Sequence, residues 1–395
     1  MLRTAFARIS ALLRPGIRPF PPDSHIRSDK RAEMNTTTLT GIEFRPITIP
    51  QSLDSADAAD FIAMVDARNR TYREIAGHDD HTMTPAELLP SYRPDEYELR
   101  VLWLAVRDGE PVGRVGVDIP LEEGSKAAFW FVELLASAHG QGIGTAAYAL
   151  VEQTAREHGR TVLQSWAQHS AEGERVLAPP TGFGAIPADR AARFYLANGY
   201  ALEQVVRNSA LDLQAPPDEI DRLLAEAKKA STGYRVLQWT LPTPAEHVDD
   251  YAWMKSRMST DAPAGGLEYD EEAWDAARLA TSEASYTDAG RHLLVTVAQH
   301  IETGRLCAFN ELVIGADRTA ASHQEDTLVL KEHRGHRLGM LVKCTGLLSW
   351  REIAPGSPRM ITYNAEENRP MLDINEAIGF VPIAYEGAWK KVLDD

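Results

Sequence analysis

The 395-residue sequence has few cysteines, no long hydrophobic run and no excess of positive charge. Its only cysteines, Cys307 and Cys344, are far apart and lack CxxC spacing, which argues against a disulfide framework or a zinc site. No apolar run approaches the roughly 20 residues that span a bilayer, so no membrane segment is expected. The formal net charge of -16 disfavours nucleic acid as a partner. These absences favour a cytosolic protein that binds neither membranes nor nucleic acid.

Sequence signatures of nucleophilic enzymes are also missing. There is no Gly-x-Ser-x-Gly elbow and no Cys/His pair, so no covalent enzyme intermediate is expected. The segment HDDH, from His78 to His81, has metal-ligand residue types, but adjacent residues in a polar loop rarely converge on one ion. We therefore predict no metal site.

The first 33 residues differ in charge from the rest of the chain. They are basic, whereas the remainder is strongly acidic. Three interpretations stay open for the region 1–40: a disordered leader, a mis-assigned start with translation beginning at Met34, or a basic targeting segment.

From residue 41 onwards, one order of strands and helices occurs twice. The glycine loops HGQGIG (139–144) and RGHRLG (334–339) align without a gap, each between a strand pattern and a helix pattern. Further on, FYLANGY (194–200) matches INEAIGF (374–380). The repeat predicts two α+β domains, 41–213 and 234–395, each a mixed and mostly antiparallel sheet flanked by helices, with a linker helix at 214–233.

A glycine loop between a strand and a helix is suited to bind a phosphate. It directs several backbone N–H groups to one point, at the positive end of the helix dipole. The dinucleotide fingerprint GxGxxG would need glycine where Thr145 stands, and no GK[ST] follows for a Walker motif. A nicotinamide cofactor and ATP are therefore not favoured, although the loop alone remains ambiguous.

Both loops resemble the Q/R-x-x-G-x-G/A motif of the GNAT acyltransferase superfamily, and the order of elements is similar in about 40 to 213 and 234 to 393. The resemblance, to a tandem GNAT protein, implies that the loops hold the pyrophosphate of acetyl-CoA. The cofactor-binding residues that it implies are Leu134, Leu135, His139, Gly140, Gln141, Gly142, Ile143, Gly144 and Thr145 in the first half and Val329, Arg334, Gly335, His336, Arg337, Leu338, Gly339, Asn364 and Asn368 in the second.

Each loop departs once from the family motif. His139 stands where Gln or Arg is usual in the first loop, and Arg337 replaces the middle glycine of the second. The Arg337 side chain could point outward and leave the backbone N–H groups usable, or contact phosphate itself. For Asn364, helix capping is the alternative to a cofactor contact.

The resemblance also implies catalytic residues. Tyr195 occupies the family position of the acid that protonates the departing thiolate, with core packing as the alternative, while the second half has Asn375 there. Glu133 is the candidate base, because a carboxylate in an apolar strand is costly unless it faces the cleft, although it could face solvent. Comparable carboxylates in the second half are Glu311, Glu325 and Asp326.

The implied function is acetyl-CoA-dependent transfer of an acetyl group to a primary amine of a small molecule or peptide. We expect the first half to be the catalytic one, because it keeps Tyr195, Gly142 and Gly144. The alternative is a catalytically silent acyl-CoA-binding or regulatory tandem GNAT protein, consistent with Asn375 and Arg337. The acidic composition favours a cationic acceptor such as a polyamine, an aminoglycoside or lysine. The sequence does not predict the oligomeric state.

Overall fold

A computed structural model describes residues 41–169 and 175–394. The region 1–40 lies outside the described residues, so its three interpretations remain open. Within those ranges, no helix combines the length and apolar character needed to cross a membrane. The same ranges contain no cluster of His, Cys, Asp and Glu that could hold a metal ion.

The two halves contain matching elements in matching order. The first half comprises β1 (Ile42–Pro46), α1 (Ala58–Ala76), α2 (Pro85–Tyr92), β2 (Glu98–Arg107), β3 (Glu110–Pro120), β4 (Ala127–Leu134), α3 (Ile143–Glu157), β5 (Val162–His169), β6 (Val176–Leu177), β7 (Ile186–Pro187), α4 (Arg190–Ala197) and β8 (Ala201–Asp212). After α5 (Asp218–Ala230), the second half comprises β9 (Tyr234–Thr240), α6 (Val248–Asp261), α7 (Ala276–Asp288), β10 (His292–His300), β11 (Leu306–Ile314), β12 (Ser322–Val329), α8 (Leu338–Ile353), β13 (Arg359–Ala365), α9 (Arg369–Ile378) and β14 (Val381–Val392).

In helix α3, the apolar residues that recur at helical spacing form the face that packs on the sheet. Ile143, Ala147, Val151 and Ala155 recur every four residues and are fully buried against the sheet. Burying one such Val or Ile side chain contributes about 1.5–3 kcal/mol. Gly159 then adopts a left-handed φ of 70°, which lets the chain turn back into β5.

The halves exchange their last strands within one sheet of 12 strands, in the order β1-β2-β3-β4-β5-β14-β8-β13-β12-β11-β10-β9. Strand β14 of the second half pairs antiparallel with β5 of the first, and β8 of the first half pairs antiparallel with β13 of the second. Strands β14 and β8 also pair with each other at the centre. The predicted mixed α+β fold is confirmed. Each half completes the sheet of the other, and the domain boundaries stay a prediction.

In each half, two parallel neighbours pair briefly and then diverge. Strand β4 pairs with β5 from Ala127 to Phe129, and β12 pairs with β13 only at Ser322 and His323. A gap therefore opens between the strands, and it leads to the glycine loop that follows β4 or β12.

The helices cover both faces of the sheet. Tyr72 of α1 bonds to Glu133 of β4, whereas Tyr148 of α3 packs on Trp130 of the same strand. Positions 130 and 133 differ by an odd number, so their side chains point to opposite faces. The α1 face and the loop-helix face are thus separate surfaces, joined through the gaps.

Candidate active site

The two glycine loops have the same backbone conformation. Gly140 and Gly335 have φ of 73° and 89°, and Gly142 and Arg337 have φ of 81° and 54°. These left-handed residues turn the chain into α3 and α8, whose first N–H groups have no acceptor within the helix. Arg337 thus adopts, at some cost in strain, a conformation that glycine adopts freely.

Arginine side chains hold the second loop in place. Nη1 of Arg337 lies 2.8 Å from Oε2 of Glu226 in α5, so its guanidinium pairs with the linker helix. Nε of Arg334 donates to the carbonyl of Val329 at 3.2 Å. His139 makes the matching contact in the first half, with Nε2 2.9 Å from the carbonyl of Leu134. The departure at position 139 therefore keeps the contact of the loop with its strand.

A cavity of about 420 Å³, the loop cavity, lies between the second glycine loop and the gap beside β13. The predicted cofactor residues that line it are Val329, Arg334, Gly335, Arg337, Leu338, Gly339, Asn364 and Asn368. His336 does not line it, and its ring lies 5.4 Å from that of Tyr234. Residues predicted from separate parts of the second half thus meet around one space.

A buried chain of hydrogen bonds sets the orientation of Asn364 at this cavity. Nζ of Lys343 donates to Oδ1 of Asn375 at 2.7 Å, and Nδ2 of Asn375 donates to Oδ1 of Asn364 at 2.7 Å. Because the ammonium form of Lys343 can only donate, this series of hydrogen bonds leaves Nδ2 of Asn364 as a donor for a ligand. Burial lowers the pKa of Lys343 to about 7. Asn375, the counterpart of Tyr195, is a link in this chain.

Aromatic side chains fill the corresponding region of the first half. The ring of Tyr195 stacks on Trp389 of β14, with centroids 4.8 Å apart, and packs against Trp130 and Tyr200. Its hydroxyl lies 2.7 Å from Oγ of Ser165, and burial raises its pKa well above the usual value. The structure gives Tyr195 a packing position, and its role as an acid stays a prediction.

The predicted cofactor residues of the first half line neither the loop cavity nor a larger cavity, described below, that lies between residues of the two halves. These residues are Leu134, Leu135, His139, Gly140, Gln141, Gly142, Ile143, Gly144 and Thr145. From His139 to Gly142 the loop is exposed. The first loop thus has the backbone conformation suited to a phosphate, but neither of these two cavities lies beside it.

Tyr195→Phe is expected to leave kcat unchanged over the neutral pH range. The substitution removes the hydrogen bond to Ser165, so the free energy of unfolding should fall by about 1 kcal/mol. Steady-state kinetics and chemical denaturation measure the two effects. A large loss of kcat with unchanged stability would support the acid role that the family resemblance implies.

Glu133, the predicted base, is held by two partners. Its carboxylate accepts from Nε of Arg114 at 2.6 Å and from the hydroxyl of Tyr72 at 2.9 Å. It lines neither cavity. The structure places Glu133 in an ion pair, and its role as a base also stays a prediction.

Strand β12 has a bulge that β4 lacks. The β11–β12 pairing shifts between Asn310 and Leu312, so that Glu325 and Asp326 lie opposite the single residue Glu311. By contrast, β3 and β4 pair without a shift. A bulge redirects side chains and frees backbone groups from the ladder, and both bulge residues line the loop cavity.

The three second-half carboxylates singled out from the sequence are all paired with cations. Glu311 and Asp326 bond to Nζ of Lys255 at 2.9 and 3.0 Å, and Glu325 lies 3.4 Å from Arg291. These carboxylates surround the bulge, and each already has a cationic partner.

Glu386 of β14 is a carboxylate that sequence reasoning missed. It lines the loop cavity and is 9% exposed. No hydrogen bond or ion pair to it is found within the described ranges. Burial raises its pKa to about 7. The only signal in the sequence is a carboxylate inside the apolar stretch AYEGAW, and the strand exchange brings it to this site.

Tyr363 of β13 lies beside the same space. Its hydroxyl is buried and has no hydrogen-bond partner in the described part of the chain. Burial, with a further contribution from the carboxylate of Glu386, raises its pKa well above the usual value. Tyr363 therefore provides a protonated hydroxyl to the cavity at neutral pH.

A second cavity, of about 470 Å³, lies between residues of the two halves on the α1 face. We call it the inter-half cavity. It shares Met258, Glu325, Asp326 and Tyr363 with the loop cavity. The two cavities thus adjoin at the bulge.

Known proteins similar to this chain share its architecture. Residues 62–174 match the acetyltransferase (GNAT) family. No curated protein sequence matches the chain. A solved tandem GNAT protein from the clavulanic acid biosynthesis pathway superposes with a TM-score of 0.68 at 23% identity, covering 90% of this chain and 99% of that chain.

Two further solved structures show the same fold at lower identity. A GCN5-related N-acetyltransferase from Sphaerobacter thermophilus has a TM-score of 0.58 at 15% identity, covering 90% of this chain and 96% of that chain. The structure of a fungal multi-domain β-N-acetylglucosaminidase, with a glucosamine N-acetyltransferase region, has a TM-score of 0.52 at 15% identity, covering 89% of this chain and 38% of that chain.

Proposed function

Since residues 62–174 match the GNAT acetyltransferase family and the chain has the fold of tandem GNAT proteins, we propose an acetyl-CoA-dependent N-acetyltransferase with its working site in the second half. The observation that carries this proposal is the loop cavity. A glycine loop, a gap between strands, a bulge and the buried carboxylate of Glu386 meet there.

The residues around the loop cavity fit acetyl-CoA. The first N–H groups of α8 and the guanidinium of Arg334 favour a pyrophosphate. Nδ2 of Asn364 offers a donor to an amide carbonyl of the pantetheine arm. When bound, acetyl-CoA supplies an activated acetyl thioester. The gap between β12 and β13 joins its site to the α1 face.

Glu386 and Tyr363 supply the proton chemistry. An amine acceptor arrives largely as an ammonium ion at neutral pH and must lose a proton before its nitrogen can attack. Glu386 accepts that proton, since its pKa of about 7 suits a base at neutral pH. As the N–C bond forms and the C–S bond breaks, the second proton of the amine ends on the departing thiol sulfur. The hydroxyl of Tyr363 is placed to donate a hydrogen bond in the same cavity.

Isothermal titration with acetyl-CoA tests the proposal. We expect one site per chain, because aromatic side chains fill the corresponding region of the first half. NAD and ATP should give no binding heat. Two equal sites would contradict the assignment to the second half. Binding without CoA release for any primary amine would identify a silent acyl-CoA-binding protein.

A further inference from the structure

The inter-half cavity is lined by two carboxylates that share a single cation. Asp118 accepts from Nε of Arg100 at 2.6 Å, and Glu98 accepts from Nη2 of the same guanidinium. Two carboxylates on one guanidinium leave one negative charge uncompensated when both are ionised. All three residues line the cavity.

Both carboxylates also keep an oxygen without a partner. Oε2 of Glu98 and Oδ2 of Asp118 are buried and make no hydrogen bond within the described ranges. The two side chains are 8% and 1% exposed. Burial raises the pKa of both carboxyl groups despite the neighbouring Arg100. A second cation would therefore find acceptors here and reduce the cost of burying the charge.

A second group of carboxylates lies at the junction with the loop cavity. Glu311 and Asp326 share Lys255, as Glu98 and Asp118 share Arg100. Asp326 lines both cavities, whereas Glu98 and Asp118 line only the inter-half cavity. The inter-half cavity thus has one anionic group beside the proposed reaction site and another in the first half.

Aromatic rings line the same cavity. They belong to Tyr72, Tyr92, Tyr97, Phe131, Trp274, Tyr286 and Tyr363. Arginine and lysine side chains of the protein already lie over six of these rings, and the rings also pack well against alkyl chains. The rings therefore suit the apolar chain of a ligand, and the two carboxylate groups suit a positive charge at each of its ends.

We propose that the acceptor is a small molecule with two amino groups, one bound by Glu98 and Asp118 while the other reaches Glu386 past Tyr363. This inference rests on the proposed function and narrows its substrate to diamines and polyamines. The remote amine fixes the position of the acceptor, and the near amine becomes the acetylated nitrogen. Glu98 and Asp118 are then specificity-determining residues supplied by the first half to a reaction in the second.

Acetylation of α,ω-diaminoalkanes, from putrescine upwards, and of matching n-alkylamines tests the inference. We expect kcat/KM for the best diamine to exceed that of the monoamine of equal length by about 10- to 100-fold, because a charged hydrogen bond contributes on that scale. The difference should lie mainly in KM, since the remote amine is not at the reacting atoms.

Asp118→Asn and Glu98→Gln should each raise KM for the diamine by about tenfold or more and leave monoamine kinetics unchanged. Each variant keeps one carboxylate on Arg100, and titration with acetyl-CoA verifies that it is folded. Asp288→Asn is the matched control. Asp288 also lines the cavity but is half exposed and paired with Arg93. Its substitution should therefore change KM neither for the diamine nor for the monoamine.

The outcomes separate this inference from the proposed function. Monoamine turnover with no preference for diamines would overturn the inference and leave the function standing. A preference for acceptors with a carboxylate, which Arg278 and Arg291 in the same lining could bind, would also overturn it. Failure to bind acetyl-CoA at all would instead overturn the proposed function.

Discussion

Replacing Glu386 by glutamine is expected to lower kcat by about 10²- to 10³-fold, the usual contribution of a general base, with little change in acetyl-CoA affinity. In the unmodified protein, kcat/KM should rise with pH through about 7, because only the ionised Glu386 accepts a proton. This dependence should disappear in the variant. A pH series of steady-state kinetics measures both effects.

The same substitution should stabilise the protein at alkaline pH. The usual pKa of a glutamate is 4.5, and that of folded Glu386 is about 7. Between pH 4.5 and 7 the Glu386 carboxyl binds more protons in the folded state than in the unfolded state. Ionisation of this group therefore lowers the free energy of unfolding as the pH rises. Above pH 7 its ionisation costs roughly 3 kcal/mol, which Glu386→Gln removes.

Melting curves at alkaline and acidic pH test this linkage. The variant should have the higher Tm at alkaline pH, and the difference should shrink towards acidic pH. Glu133→Gln is the contrasting variant, because it breaks the ion pair with Arg114 and should only destabilise. Loss of both activity and stability in Glu386→Gln would indicate a structural role for Glu386.

Gly335→Val should weaken acetyl-CoA binding by about 100-fold or more, whereas Gly140→Val should not. Both glycines have a left-handed φ, and a Cβ at either position meets no atom within 4 Å. The backbone strain, of order 1–3 kcal/mol, is therefore similar in the two variants. Only Gly335 lines the loop cavity, where a valine side chain would compete with the pyrophosphate.

Calorimetric titration of both variants, with their unfolding free energies, completes this comparison. Equal losses of stability would show that the two substitutions strain the backbone alike. If Gly140→Val abolished binding and Gly335→Val did not, the cofactor site would belong to the first half.

Features that depend on local geometry could be predicted from the sequence. The glycine pattern located both loops, and the structure gives Gly140 and Gly335 the conformation that such loops require. Glycine directly after a helical pattern indicates the end of the helix, and Gly159 and Gly199, which follow α3 and α4, have φ of 70° and 81°. The family resemblance, which rests on these patterns, is confirmed by the match to residues 62–174 and by the tandem fold.

Features that depend on distant partners could not be predicted. Alternating apolar residues in β14 are compatible with pairing to β13 or to β5, and only the complete sheet selects β5. The motif position favoured Tyr195 over Asn375 as the catalytic acid. In the structure Tyr195 packs on Trp389, which comes from the other half of the chain, and the motif gives no sign of this contact. The same strand exchange brings Glu386 to the loop cavity. Its neighbours in sequence form no catalytic motif, so the sequence did not single it out.

The strand exchange also affects how the chain is made. Strand β5 pairs with residues synthesised about 220 positions later, and β8 needs β13 and β14. Domains usually fold in order as they leave the ribosome. Here the first half emerges with β5 and β8 as unpaired edges, which are prone to aggregation. Its sheet closes only when β14 has been translated, so these edges stay exposed in the nascent chain until then.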